Sequence, residues 1–155
     1  MMHTRILMRA ALVIFTLGAA LLTAACQPRA AQEPAISRAW AAATPPGATV
    51  GAAYMEIASG AADTLLGATT PVAAKVEMHE NSQDGGMMRM RQLQSVELQP
   101  GRAFVFQPGG AHLMLVGLQA PLAADTRFPL TLRFKNAGDV VVDVAVMAPG
   151  AAQQH

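Results

Sequence analysis

Cysteine is nearly missing from this chain: among 155 residues there is one, Cys26. No disulfide can form within a domain that has no cysteine of its own, so stability must come from an apolar core, which ~120 residues suffice to build. The same shortage removes the thiolate that a blue-copper electron-transfer centre sets beside two histidines. Basic residues are too few for the stripe that nucleic-acid binding needs. Once Arg5 and Arg9 are lost with an N-terminal signal, the eleven Lys and Arg become nine against ten Asp and Glu. No Ser/His/Asp arrangement and no His-rich zinc set occurs, and the carboxylates are dispersed, which argues against an enzyme of the hydrolase kind. Beyond Leu22 no apolar run approaches the ~20 residues of a membrane-spanning helix.

What is present begins with an export signal. Arg5 and Arg9 precede the apolar run 10–22, and Leu22-Thr23-Ala24-Ala25-Cys26 follows. That segment is similar to a bacterial lipobox, in which cleavage before the cysteine leaves it acylated. Thr23 stands where the pattern usually has Leu, and cleavage by ordinary signal peptidase stays open as the alternative. Acylation would also dispose of an unpaired thiol in an oxidising compartment. The expected organisation is a signal over residues 1–25, a tether over 26–35, a domain over 36–148 and a flexible tail over 149–155. The expected location is the periplasm, with membrane anchoring, to the outer membrane, if Cys26 is lipidated.

Within the domain, short apolar and β-branched runs recur between Gly/Pro turn signals. The expected strands are 36–42, 51–58, 64–70, 75–80, 88–93, 103–106, 112–118, 128–135 and 140–147. The alanine-rich stretches 31–43 and 52–62 favour helix by propensity, but prolines and glycines interrupt them. No window after the signal holds the i, i+3, i+4, i+7 period for three turns. The pattern predicts an all-β antiparallel sandwich or barrel, with a hairpin around Asn136–Asp139 as its firmest element.

Four soft or borderline donors stand at fixed intervals: His79, Met90 after ten intervening residues, then after twenty-one more His112 and Met114 flanking Leu113. Imidazole with thioether selects Cu(I), because thioether is a poor ligand for Zn²⁺, Mg²⁺ or Ca²⁺. A single methionine is more often core filler and a single histidine more often a surface or hydrogen-bonded residue; the weight here comes from the set. Residues two apart on a strand share a face, so His112 and Met114 project together while Leu113 and Leu115 point the other way. By the same alternation Val76 and Met78 face the core and Glu77 and His79 the opposite side. Met90 follows an Asp84-Gly85-Gly86 loop expected to be flexible. Met87 and Met88 are candidate auxiliary donors, whereas Met55, Met78 and Met147 read as packing.

At these residues the chain resembles the periplasmic copper chaperone family PCuAC (DUF461), whose hallmark is H-x10-M-x21-H-x-M. The likeness spans about 36–147 and includes Val76-Glu77-Met78-His79-Glu80, Gly86-Met87-Met88-Arg89-Met90-Arg91 and Pro108-Gly109-Gly110-Ala111-His112-Leu113-Met114-Leu115. The resemblance implies a cupredoxin-like Greek-key barrel that binds one Cu(I) through His79, Met90, His112 and Met114. It further implies delivery to a respiratory oxidase copper centre of the CuA type, with a Sco-type thioredoxin-like assembly protein as co-worker. A small transfer protein with a reachable site works well as a monomer, and the sequence leaves the oligomeric state open. Some relatives carry a His/Met-rich tail for a second copper; here the tail offers His155 alone, which puts such a site in doubt. A copper-sequestering lipoprotein that does not deliver its metal would show the same four ligands.

Overall fold

The computed structural model describes residues 33–148. The expected signal segment, Cys26, most of the tether and the tail with His155 lie outside the described residues. Ten strands and no helix occupy the described chain: β1 (Ala35–Ala42), β2 (Val50–Ala58), β3 (Asp63–Thr69), β4 (Ala73–Asp84), β5 (Met87–Leu93), β6 (Val96–Leu98), β7 (Phe104–Phe106), β8 (Ala111–Leu118), β9 (Arg127–Phe134) and β10 (Gly138–Met147). No helix among the described residues is long and apolar enough to cross a membrane.

The strands form one sheet in the order β5-β4-β8-β2-β1-β10-β9-β3-β6, with β7 pairing β2. All pairings are antiparallel except that of β1 with β10, which is parallel. The core follows from period-two alternation. On β2 the buried residues are Gly51, Ala53, Met55 and Ile57, while Ala52, Tyr54 and Glu56 face the other way, half-buried. Leu113 and Leu115 on β8, Leu130 and Leu132 on β9, and Val144 on β10 are fully buried with Phe106 and Leu65. Each such side chain contributes on the order of 1.5–3 kcal/mol of apolar burial. The alanine-rich segments become β1 and β2 because their alternate residues fill this core; tertiary burial overrides helix propensity.

Two backbone features shape the half of the sheet that holds β4, β5 and β8. Gly85 and Gly86 both have positive φ (57° and 82°), and Asp84 pairs with Met87, so β4 and β5 are joined by a two-residue hairpin turn. The expected flexible loop is therefore a tight turn, and β4 runs four residues beyond its expected end at Glu80. At Gly117 (φ +72°) β8 bulges: the N–H groups of Gly117 and Leu118 both donate to the Thr49 carbonyl. A Cβ at Gly117 would lie 2.8 Å from the Ala74 Cβ, so conformation and space both require glycine there.

Candidate metal centre

The pairing of β4 with β8 sets His79 directly opposite His112 and Glu77 opposite Met114. The pairing of β4 with β5 sets Asn81 opposite Met90 and His79 opposite Gln92. Residues directly opposite one another project from the same face, so His79, His112, Met114 and Met90 all stand on one face of three adjacent strands. The two histidines form the middle rung. Met114 lies one two-residue step, ~6.8 Å, toward one end of the strands and Met90 one step toward the other. The opposite face carries Met78, Leu113 and Leu115 into the core, as alternation predicted.

The imidazoles are 5.9 Å apart between ring centroids and 24° from parallel. His112 is only 7% exposed and the His79 side chain 14%. Their hydrogen bonds fix which nitrogen carries the proton. His112 Nδ1–H donates to the Gly110 carbonyl at 3.1 Å, which leaves Nε2 with its lone pair. The Gly110 carbonyl also accepts from the Asn81 N–H at 3.2 Å, which ties the Pro108–Gly109 turn to β4 and so holds the His112 ring in place. His79 Nε2–H donates to Glu77 Oε2 at 3.0 Å, and a carboxylate can only accept. In the neutral ring His79 Nδ1 is then an acceptor, and it is buried with no hydrogen-bond partner among the described residues. A buried lone pair without a donor costs about 1–3 kcal/mol unless something else satisfies it. Neutral imidazoles with one nitrogen bonded and the other bare are what a cation of low charge requires.

The methionines are less enclosed. Met114 is half-buried, whereas Met90 on edge strand β5 is 55% exposed. The auxiliary candidates separate. Met88 pairs with Gln83 and so shares the face of Met90, while Met87 pairs with Asp84 and projects from the other face; both are more than 60% exposed. Arg91, on the face opposite Met90, bonds Glu80 at 2.9 Å. Met78 and Met55 are core residues, as expected. No group of three or more His, Cys, Asp or Glu placed to hold a metal ion occurs among the described residues, so a hard or zinc-type site lacks its donors. No motif in the sequence marks Glu77, although its position two before His79 on a strand signals that it shares the ring's face.

This fold and face define a class: a small all-β domain presenting two imidazoles and two thioethers from adjacent strands. Residues 35–146 match the family model described as "Putative lipoprotein LpqE-like", and the chain belongs to that LpqE-like family. It is similar to the "Putative lipoprotein Lxx21020" of Leifsonia xyli subsp. xyli, 32% identical over 123 residues that cover 77% of this chain and 73% of the relative. Among solved structures it resembles the copper-bound PCuAC domain from PmoF2, at 27% identity and TM-score 0.65, over 77% of this chain and 97% of that one. It also resembles the CuI-DR1885 solution structure from Deinococcus radiodurans, at 28% identity and TM-score 0.61, over 77% and 81%. The fold is thus the cupredoxin-like one that the PCuAC resemblance implied.

Proposed function

We propose that this protein carries one Cu(I) as cargo, held by His79 Nδ1, His112 Nε2 and the thioethers of Met90 and Met114, and passes it to another protein without catalysing a reaction. The observation that carries this reading is the buried, unpartnered Nδ1 of His79 on the same face as the other three donors. Two neutral imidazoles and two thioethers leave the complex at +1, which suits Cu(I) over the dication. Thioethers need no deprotonation, and methionine cannot be lost to disulfide formation outside the cell. Similarity to the copper-bound PmoF2 domain and to CuI-DR1885 supports the choice of metal.

The recipient in this reading is a respiratory oxidase copper centre of the CuA type, reached with a Sco-type assembly protein; recipient thiolates would draw Cu(I) from a site that offers none. The protein acts outside the cytoplasm as a monomer, tethered to a membrane through an acylated Cys26, a placement supported by the lipoprotein descriptions of its family and relative. X-ray absorption on the Cu(I)-loaded protein tests the site: a mixed N/S shell that loses sulfur in the Met90→Ala, Met114→Ala double variant is expected, and an oxygen-rich shell would refute it. Oxidase activity of a deletion strain starved of copper tests delivery. A strain impaired only under copper excess would instead make the protein a sequestering lipoprotein.

A further inference from the structure

The unpartnered nitrogen of His79 exists because a neighbouring side chain holds the other nitrogen, and this second contact has a geometry of its own. Glu77 lies two residues before His79 on β4, on the same face, directly opposite Met114. Its two carboxylate oxygens are divided between two partners: Oε2 accepts from His79 Nε2–H at 3.0 Å, and Oε1 is held by the Lys75 ammonium at 2.6 Å. We infer that Glu77, anchored by Lys75, is a positioning residue that presents Nδ1 of His79 to Cu(I) and makes it a stronger donor. This inference rests on the copper reading above.

The physical reasons are two. An imidazole free to rotate about its Cα–Cβ and Cβ–Cγ bonds can offer either nitrogen, and the nitrogen it buries is then a matter of chance. A carboxylate on one nitrogen removes that freedom, and it also draws the ring proton toward itself, raising electron density on the other nitrogen. Lys75 has the complementary task. With one oxygen of Glu77 committed to the ammonium, the carboxylate is fixed in the orientation that aims its other oxygen at the ring. With an ammonium on one oxygen and a ring N–H on the other, the Glu77 carboxylate is faced by donors only and serves as the acceptor. His112 is arranged by the same logic with a different partner, the Gly110 carbonyl, and exposes the opposite nitrogen. The two rings thus reach one metal through unlike atoms, Nδ1 from β4 and Nε2 from β8.

The test uses the whole protein labelled with ¹⁵N-histidine, without metal and loaded with Cu(I), which is diamagnetic and leaves ring nitrogens observable. In the metal-free wild type the His79 Hε2 proton should be protected from exchange with water, and in Glu77→Ala that protection should vanish. On loading, the wild-type shift should move at Nδ1 of His79 and at Nε2 of His112. Glu77→Ala should lower Cu(I) affinity about 10–100-fold and leave His79 bound through a mixture of nitrogens. Glu77→Gln, whose amide oxygen still accepts from Nε2–H, should recover most of the affinity and the Nδ1 signature. Glu77→Val, better suited to a strand, replaces the alanine variant if that one proves unstable. Binding of wild-type His79 through Nε2, an oxygen donor from Glu77 in the metal shell, or full affinity with unaltered Nδ1 binding in Glu77→Ala would overturn the positioning role while leaving the copper site standing. Failure of the wild type to take up stoichiometric Cu(I), or indifference of uptake to His79→Ala, would overturn the copper reading and this inference together.

Discussion

Two polar side chains with enclosed polar atoms stand in different halves of the sheet and are treated in opposite ways. Asp63, at the start of β3, is 7% exposed and almost over-supplied with partners. Its Oδ1 accepts from the Thr64 N–H at 2.7 Å and the Asn136 N–H at 2.9 Å, and its Oδ2 from the Ala137 N–H at 3.0 Å. It thereby closes the turn between β9 and β10 onto β3. His79, on β4, is similarly enclosed yet keeps one nitrogen without any partner. The scaffold half gives both oxygens of its carboxylate backbone N–H partners; the other half withholds a donor from one ring nitrogen. The contrast teaches that what distinguishes a group that holds a fold together from a candidate ligand is whether its enclosed polar atoms have partners, not that they are enclosed.

Four substitutions tell the two roles apart. The largest effect is expected at His79→Ala. In the proposed site this removes a direct ligand and should weaken Cu(I) binding beyond the ~100-fold upper range of a supporting contact, with little cost in thermal stability, because the substitution also removes an unsatisfied buried nitrogen; competition titration and thermal unfolding measure the two. Asp63→Ala should do the reverse. Three backbone N–H groups lose their acceptor, a destabilisation of roughly 2–3 kcal/mol, while Cu(I) affinity of the folded protein is unaltered.

That second prediction has a pH signature. Burial pushes the Asp63 carboxyl up, but the N–H groups of Asn136, Thr64 and Ala137 outweigh it and hold the group below its ordinary value. A depressed folded value means the contribution is complete above the unfolded carboxylate range, ~3.9, and is lost as pH falls through the folded value. Denaturant melts of wild type and Asp63→Ala should therefore differ at neutral pH and converge in acid. Curves that remain parallel down to the acid limit would show that Asp63 owes nothing to its charge.

The third and fourth cases sharpen the contrast within the donor set. Met114→Ala, at a half-buried position opposite Glu77, should weaken Cu(I) by at least about tenfold, ~1.4 kcal/mol; unchanged affinity in competition would remove it from the site. The smallest effect belongs to Met88→Ala. Its exposed thioether shares the donor face at the far end of β5, so we expect slower transfer of Cu(I) to a thiolate acceptor with equilibrium affinity scarcely altered. Met87→Ala, projecting from the other face, should change neither, and stopped-flow transfer rates for the pair decide whether the face matters.

Much of this was open to reading from the residues, and for stated reasons. Nine of the strands announce themselves by apolar runs between Gly/Pro turns. The tenth, Val96-Glu97-Leu98, is too short to show a period, and only its pairing with Asp63, Thr64 and Leu65 reveals it. The end of β4 was hidden because Asn81-Ser82-Gln83-Asp84 is polar throughout; those residues are extended by pairing with β5, not by any pattern of their own. The parallel contact of β1 with β10 joins the two ends of the domain, and no local signal encodes it. For the site, the shared face of His112 and Met114 follows from alternation, but the rung joining His79 to His112 depends on register. The roles of Glu77 and Gly110 depend on ring orientation, which composition and spacing do not carry.

The parallel pairing of β1 with β10 has a practical bearing on how the molecule can be handled. Trp40 stands opposite Ala145 and Ala42 opposite Met147, so the domain is entered at the Ala35 end of β1 and left at the Ala42 end, about 23 Å away along the strand. Register through β2, β8 and β4 places the Gly85–Gly86 turn at the Ala35 end. A fluorophore, affinity handle or biosensor surface attached after Met147 therefore leaves the domain at the end of the strands opposite the methionine hairpin, whereas one placed before Ala35 joins it at the same end.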